Sequence, residues 1–275
     1  RAQSGRDPSG GAAQPGSAMP PEVHAGSNAP GQPLRLLLVR HGESFNNALM
    51  EEPGMTRERW ELGRQPDPDL SATGRQQAEL LGSFLALEAA DRPQFKEVLP
   101  LGMLCVSPVK RAMQTLAPAA RRLGMRPKVW TDCFEVGGIY HASGTGSRGL
   151  SKSQMQADFP EFDLPADVTE DGWYTLDGKE TAEQARTRAA ATAERVRDLA
   201  RQGEDRGFKG ALLLLSHHDH LNLLMQALLR DGSRSFFHKN TAMSCLDILP
   251  SGDAAVRFLN CTEHLPASGP VSSSL

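Results

Sequence analysis

The 275-residue chain is poor in cysteine and in aromatic residues, and neither sign of charge is in strong excess. No apolar run approaches the ~20 residues that a membrane-spanning helix needs; the strongly apolar stretch 211–215 runs directly into Ser216 and His217. The formal net charge of -3 gives no general attraction to nucleic acid or to anionic lipid. We therefore expect a water-soluble protein with no nucleic-acid and no membrane partner, in which local positive charge holds an anionic substrate.

The cysteines are few and widely spaced. Cys105, Cys133, Cys245 and Cys261 lack the close pairing of a zinc or redox motif. Most of them lie in apolar, strand-like stretches, so we interpret them as reduced core residues.

Two segments contain too few apolar residues to form a core. Residues 1–32 are dominated by Gly, Pro, Ala and Ser, and residues 266–275 have the same character, so we expect both to be disordered tails. The first tail is either the remnant of a processed targeting segment or an arbitrary chain boundary, and both origins stay open. We expect one folded domain over 33–265 and a soluble intracellular location, cytoplasmic or organellar.

Within this domain, short apolar runs alternate with amphipathic helical patterns. Strands are predicted at 34–39, 101–106, 128–130, 211–215, 245–249 and 254–259. Helices are predicted after Ser71, from Ser107–Pro108, over 180–200 and around 221–228. The alternation predicts an α/β fold with a largely parallel sheet and helices on both faces. Residues 131–178 show no clear period, and we expect a small inserted cap there.

Three of the predicted strands end in residues suited to a phosphoryl group. Arg-His-Gly at 40–42 follows the first strand, residues 107–111 follow the second, and Ser-His at 216–217 follows the fourth. In open α/β sheets the ligand site lies beyond the carboxyl ends of the strands, so we expect these residues on one rim. Guanidinium groups bind phosphoryl oxygens in bidentate fashion, and an imidazole nitrogen can attack phosphorus.

Four blocks of the sequence resemble the histidine phosphatase superfamily, which includes the phosphoglycerate mutases and many phosphatases. The blocks are 38–44, 67–78, 107–115 and 216–217, and they occur in the family's order. The resemblance implies a three-layer α/β sandwich with a mostly parallel central sheet, phosphoglycerate mutase-like, with a small inserted cap at about 131–178. The catalytic domain would then be residues 33–265.

The same resemblance implies roles for individual residues. His41 would be the nucleophile that becomes phosphohistidine. Arg40, Arg111 and His217 would bind the phosphoryl oxygens, and His217 also counts as catalytic. Asn47 falls where the family usually has an Asn and joins the phosphate-binding set.

A proton donor for the leaving oxygen is expected after the strand that follows the Arg111 helix. Glu135 matches the family's donor best, and Asp132 is the runner-up. A carboxyl that lies near phosphate under a cap has its pKa raised by repulsion and desolvation, so it carries a proton when one is needed. Glu180 resembles a family Glu at the start of the helix before the fourth block, and we interpret it as a helix-capping residue.

Six residues in or beside the insert are candidates for contacts with the rest of the substrate, although most are expected at the surface. They are Tyr140, His141, Arg148, Lys152, Trp173 and Lys179.

We predict a metal-independent phosphatase that hydrolyses a phosphate monoester without any cofactor, acting on a small phosphate ester or a phosphoprotein. Residues 48–54 do not resemble the stretch that the mutases carry after the first block, which favours phosphatase over mutase. Three alternatives stay open: mutase-type phosphoryl transfer, a non-catalytic phosphate-binding or scaffolding module, and a metal-dependent hydrolase. The last would use the closely spaced imidazoles and carboxylate of 217–220. The oligomeric state is unknown.

Overall fold

The computed structural model describes residues 31–87, Phe95, Val98 and 100–266. The strands in these residues are β1 Leu34–Arg40, β2 Leu101–Val106, β3 Lys128–Val129, β4 Ala211–Ser216, β5 Met243–Ile248 and β6 Ala254–Cys261. The helices are α1 Phe45–Met50, α2 Arg57–Gly63, α3 Ala72–Ala86, α4 Lys110–Leu123, α5 Lys152–Asp158, α6 Ala182–Arg201 and α7 His218–Leu229. Almost all of the two predicted tails lies outside the described residues, so both tails stay predictions.

The six strands form one sheet in the order β3-β2-β4-β1-β5-β6. β1, β2, β3 and β4 run parallel, whereas β5 is antiparallel to both of its neighbours, β1 and β6. The prediction of an α/β fold with a mostly parallel central sheet is confirmed. Because β1, β2 and β4 are parallel neighbours, their carboxyl ends meet at one edge.

Helices cover both faces of the sheet. Alternate residues of a strand point to opposite faces, so Leu37 and Val39 pack into a core with α3 and α4, while Leu36 and Leu38 pack into a second core with α6 and α7. All residues of β4 are buried, as expected for a strand between two helical layers.

The prediction that a helix starts at Ser107–Pro108 is wrong by two residues. Helix α4 begins at Lys110, and Val109 occupies the N-cap position without a side-chain hydrogen bond. The backbone N–H of Lys110 donates instead to Asp67 Oδ1 at 2.9 Å. The capping acceptor therefore comes from a distant loop, which a local signal does not reveal.

Residues 131–178 contain the short helix α5 and otherwise turns and isolated bridges. Phe134, Trp173 and Tyr174 are buried here, and the Tyr174 ring packs edge to face on the other two, with centroid separations of 5.4 and 5.7 Å. The segment thus has an aromatic core of its own. None of the helices in the described part of the chain combines the length and apolar character that a bilayer span requires.

Candidate active site

A cavity of about 510 Å³ lies at the carboxyl ends of β1, β2 and β4. Five of the residues predicted for the site line it: Arg40, His41, Asn47, Arg111 and Glu135. His217 is fully buried and contacts Arg111. Sequence positions spread over almost 180 residues thus meet at one point, as the strand-end argument predicted.

The backbone after β1 is held from two sides. The N–H of Gly42 donates to Thr115 Oγ1 of α4 at 2.9 Å. Asn240 Nδ2, from the segment before β5, donates to the carbonyl oxygen of His41 at 3.0 Å. The backbone at His41 and Gly42 is therefore held by α4 on one side and by the segment before β5 on the other.

Helix α3 approaches this loop so closely that only glycine fits. A Cβ atom on Gly74 would lie 1.9 Å from the carbonyl oxygen of Glu43. The N–H of Glu43 donates to Gln77 Oε1 at 2.8 Å, one turn further along α3. The second sequence block therefore supports the first by direct contact.

The imidazole of His41 has a defined tautomer. Its Nδ1 lies 2.6 Å from the carbonyl oxygen of Gly42, which can only accept, so Nδ1 carries the proton. The lone pair of Nε2 accepts a hydrogen bond from Arg111 Nε at 3.1 Å. Burial and the charges of Arg111 and Arg40 hold the pKa of His41 well below its usual value. His41 is therefore a neutral imidazole with Nε2 available at the cavity.

His217 lies against the other end of the same guanidinium group. Arg111 Nη2 donates to His217 Nδ1 at 3.1 Å, which leaves the proton on Nε2 to donate to Ser107 Oγ at 2.7 Å. The His41 and His217 rings are 5.0 Å apart between centroids. Burial and the Arg111 charge keep the pKa of His217 well below its usual value, so it is also neutral.

The other two predicted phosphate ligands line the cavity from β1 and α1. Arg40 is almost fully buried, donates from Nη1 to the carbonyl oxygen of His238 at 2.7 Å, and has its pKa lowered by burial to about 10. Asn47 uses Oδ1 to accept from the backbone N–H and the hydroxyl of Ser44, the N-cap of α1. Arg40 and Arg111 place two guanidinium groups around His41.

Glu135 enters the cavity beside the start of α7. Its Oε1 accepts from the N–H of Val136 at 2.8 Å and from the N–H of His220, in the first turn of α7, at 3.1 Å. Burial and the neighbouring charge of Asp219 raise its pKa, against the opposing charge of Arg111. A carboxyl in this environment can hold a proton at a higher pH than an exposed one.

Asp132, the runner-up for the proton donor, does not line the cavity. Its Oδ2 pairs with Arg195 Nη2 at 2.9 Å. The geometry therefore separates the two candidate carboxyls, and only Glu135 shares the cavity with His41.

Glu180 is not a helix cap, contrary to the sequence interpretation. Thr181 caps α6, in a capping box with Gln184. Glu180 is instead buried and accepts from Arg188 Nε and Nη2, both at 2.7 Å. Glu180 lies one residue before the cap, and its carboxylate binds Arg188, which is two turns along α6.

Arg188 joins this carboxylate to the Glu135 loop. It donates from Nη1 to the carbonyl oxygens of Asp132 and Phe134 at 3.0 and 2.8 Å, and to His220 Nδ1 at 3.0 Å. Its guanidinium carbon lies 3.6 Å from the centroid of the Phe134 ring. One buried cation thus contacts both the loop that carries Glu135 and the helix whose N–H binds it.

The histidines at 217–220 do not converge on one point. His217 contacts Arg111, His218 Nδ1 lies 3.2 Å from the carbonyl oxygen of His238, and His220 faces Arg188. Within the residues that the structure describes, no group of three or more His, Cys, Asp or Glu side chains is arranged to hold a metal ion.

The family model of the histidine phosphatase superfamily, branch 1, matches residues 36–262. The chain belongs to this superfamily. The family predicted from the four sequence blocks is confirmed, and membership supports phosphatase activity in general.

No curated protein matches the chain in sequence. Several solved structures are similar to it at low identity. A protein described as mycobacterial hydrolase 1 is 22% identical with a TM-score of 0.51, covering 83% of this chain and 99% of its own. A mycobacterial glucosyl-3-phosphoglycerate phosphatase is 20% identical with a TM-score of 0.50, over 83% and 99% of the two chains. A mutant phosphoserine phosphatase from Entamoeba histolytica, bound to phosphoserine, is 17% identical with a TM-score of 0.50, over 85% and 100%. These likenesses agree with the fold.

Five residues that support this histidine phosphatase site were not predicted as site residues from the sequence. Gln77, Ser107 and Thr115 fall inside the recognised blocks, where a polar residue on a buried helix face or strand end is a usable clue. Asn240 is 199 residues from the His41 carbonyl that it binds, and Arg188 lies on the charged side of an amphipathic pattern. Their roles follow from strand order and helix packing.

Of the six candidates in or beside the insert, two line the histidine phosphatase cavity, Tyr140 and Lys179. Trp173 is buried in the aromatic core of the 131–178 segment. His141, Arg148 and Lys152 do not line the cavity.

Proposed function

We propose that the protein is a phosphatase that hydrolyses a phosphate monoester through a phosphohistidine formed on His41. The observation that carries this proposal is the neutral His41 imidazole, whose Nδ1 proton is held by the Gly42 carbonyl and whose Nε2 meets Arg111 at the cavity. An unprotonated nitrogen beside a fixed guanidinium suits in-line attack on a phosphoryl group.

In the first step, His41 Nε2 forms a bond to phosphorus as the bond from phosphorus to the leaving oxygen breaks. Arg111 now donates to His41 and His217. An entering phosphoryl group offers oxygens to the same donors, so Arg111 turns from Nε2 to the substrate and leaves the lone pair free. Arg40 and Asn47 also donate to the phosphoryl oxygens. His217 joins them as an imidazolium: beside the phosphoryl dianion its Nδ1 takes a proton from solvent and donates it to a phosphoryl oxygen, while Nε2 keeps its bond to Ser107. The cations stabilise the charge on the transferring group.

Glu135 supplies the proton for the leaving oxygen. Its raised pKa and its place in the same cavity support this role. In the second step, water attacks phosphohistidine, the nitrogen–phosphorus bond breaks, and the Glu135 carboxylate accepts the proton of the water. His41 and protonated Glu135 are thereby restored, and no metal or organic cofactor takes part.

The test is hydrolysis of an aryl phosphate with a chelator present, comparing the unmodified protein with His41→Ala. We expect activity that survives chelation and falls by roughly a thousandfold or more in the variant, because the nucleophile is lost. His141→Ala is the matched control, since His141 is exposed and outside the cavity. A phosphoryl group on His41, trapped by alkaline quenching and mass spectrometry, identifies the intermediate.

Three outcomes would contradict this proposal. Loss of activity on chelation would point to a metal-dependent hydrolase. Transfer of phosphate to a second phosphoglycerate molecule, in place of water, would identify a mutase. A folded protein that binds phosphate but turns over no ester would be a non-catalytic phosphate-binding module.

A further inference from the structure

One wall of the cavity carries more positive charge than the proposed reaction uses. It consists of three cations and two aromatic rings, which we call the cation–aromatic wall: Arg57, Trp60, Arg64, Tyr140 and Lys179. Arg57 and Trp60 belong to α2, and Arg64 follows it directly. Tyr140 lies in the 131–178 segment, and Lys179 is the residue after that segment.

Rings and cations alternate along this wall. Arg57 lies 4.5 Å from the Trp60 centroid, and Arg64 lies 5.6 Å from Trp60 and 3.7 Å from Tyr140. The ammonium group of Lys179 is 5.2 Å from the Tyr140 centroid. Contacts of this kind hold a cation in place without neutralising its charge.

Arg64 is the fixed centre of the wall. Only 5% of its side chain is exposed. Its Nη2 donates to the carbonyl oxygen of Tyr140 at 2.8 Å, and its Nε pairs with Glu61 at 2.9 Å. A guanidinium group held on two sides loses little conformational entropy when an anion binds.

Among the described residues, the ion pairs of the wall supply one carboxylate for its three cations. Glu61 serves both Arg57 and Arg64, at 2.9 Å from each. Lys179 forms no salt bridge among the described residues, and its charge acts on the same Glu61 carboxylate, whose pKa it helps to lower. Burial lowers the pKa of Arg111, the charges of Glu135 and Asp67 oppose this, and the charge of Arg64 adds to it, so the two guanidinium groups repel each other.

The carboxylates that line the cavity lie elsewhere. Asp219 lies in the first turn of α7, Glu135 accepts from the N–H of His220 in the same turn, and Glu180 is paired with Arg188. Glu135 and Asp67 act on Arg111 itself, whereas among the described residues the ion pairs of the wall's own cations involve the single carboxylate of Glu61.

We propose that the cation–aromatic wall binds a second anionic group, a carboxylate or a phosphate, on the leaving group of the substrate. The inference rests on the proposed phosphatase function and names its substrate class: phosphate monoesters with a further negative charge. The phosphoryl group that is transferred binds the Arg40 and Arg111 guanidinium groups. The second anion, on the leaving group, relieves the repulsion between Arg111 and Arg64.

The test compares matched esters that differ in the second anion. The carboxylate pair is 3-phosphoglycerate against glycerol 3-phosphate, and the phosphate pair is fructose 1,6-bisphosphate against fructose 6-phosphate. We expect kcat/KM to be roughly tenfold higher for the doubly anionic member of at least one pair, the size of one good charge-assisted hydrogen bond. Which pair responds tells whether the wall takes a carboxylate or a phosphate.

Variants assign the preference to the wall. Arg64 is buried and its replacement risks misfolding, so the exposed side chains are changed: Lys179→Gln, Arg57→Gln and the double variant. The ratio of kcat/KM between the two esters should fall towards one in the double variant, and Lys179→Glu should reverse it. Lys209→Gln, an exposed lysine outside the cavity, should leave the ratio unchanged.

Equal kcat/KM values within both pairs, or a ratio that the double variant does not alter, would overturn the inference. Failure to hydrolyse any of the four esters counts against the proposed function instead. In that case calorimetric binding of 3-phosphoglycerate and glycerol 3-phosphate to the unmodified protein decides about the wall, because equal dissociation constants would refute it.

Discussion

Among single residues, Arg111 has the widest influence on the site. Its guanidinium group contacts the imidazoles of both His41 and His217, and its charge contributes to keeping both of them neutral. The same group is placed to bind a phosphoryl oxygen. In the proposed mechanism a single buried cation thus prepares the nucleophile and attracts the group that the nucleophile attacks.

Replacing Arg111 by lysine keeps the positive charge but removes the forked guanidinium group, so it tests whether the shape of the group is needed in addition to its charge. We expect Arg111→Lys to lower kcat/KM by roughly a hundredfold or more, because an ammonium group cannot bridge two imidazoles and bind an oxygen in a fork. Steady-state kinetics with an aryl phosphate measure this. Arg121→Lys, an exposed arginine on the same helix, is the control. Equal losses in the two variants would refute the role.

The pH dependence should report the proton on Glu135. Burial and the charge of Asp219 raise its pKa, so this carboxyl loses its proton, and the activity on alkyl phosphates falls, at a higher pH than for an ordinary Glu. Asp219→Asn removes one of the two causes and should lower the pKa of Glu135. The alkaline limb of kcat then moves to lower pH.

The control for this profile is Asp177→Asn, since Asp177 is almost fully exposed and outside the cavity. Both profiles share the ionisation of the substrate, so their difference isolates the protein group. A limb that stays in place or moves to higher pH in Asp219→Asn would argue against Glu135 as the acid.

At the scale of elements, the site depends on close contacts between segments. Helix α3 touches the loop after β1 at Gly74, and α4 supports the same loop through Thr115. On the other side, Arg188 of α6 ties the Glu135 loop to α7. The loops that carry His41 and Glu135 are thus held by different helices on opposite faces of the sheet.

Gly74→Ala should disturb the site without touching a reacting group. The added Cβ would lie 1.9 Å from the Glu43 carbonyl oxygen, so the loop after His41 must shift. We expect kcat/KM to fall by roughly tenfold to a hundredfold, and the free energy of unfolding by roughly 1–3 kcal/mol. Kinetics and denaturant unfolding test this. Gly232→Ala, with open space around the new atom, should change neither, and a similar effect there would refute the contact.

At the scale of the whole molecule, the charge of the site contrasts with that of the chain. The protein carries a net charge of -3, yet Arg40, Arg57, Arg64, Arg111 and Lys179 share one cavity. Anion binding therefore depends on local placement and not on a general attraction.

Inorganic phosphate should stabilise the folded protein because only the folded state gathers these cations. At a free concentration one hundred times the dissociation constant, the free energy of unfolding should rise by about 2.7 kcal/mol, with a higher Tm. Sodium chloride of equal ionic strength should give little change, and Arg111→Lys should weaken the effect of phosphate. An equal shift with chloride would mean that binding is not specific.

The sequence by itself determined the strands, the four long helices α3, α4, α6 and α7, and the central residues of the site, but not the short helices α1, α2 and α5. Each strand is a short apolar run, and the Arg-His-Gly at 40–42 and the Ser-His at 216–217 directly follow such runs. Parallel neighbours bring their carboxyl ends together, so local pattern was enough to bring His41, Arg111 and His217 to one edge. It failed at the start of α4 and at Glu180, where the partner lies in another segment.

Only the tertiary structure decided which side chains meet. Asn240 reaches the His41 carbonyl because β5 pairs antiparallel with β1, and Arg188 reaches the Glu135 loop because α6 packs beside α7. The cation–aromatic wall likewise joins α2 to Tyr140 and Lys179. Side-chain contacts between distant segments are set by strand order and packing, and a periodic local pattern carries no information about either.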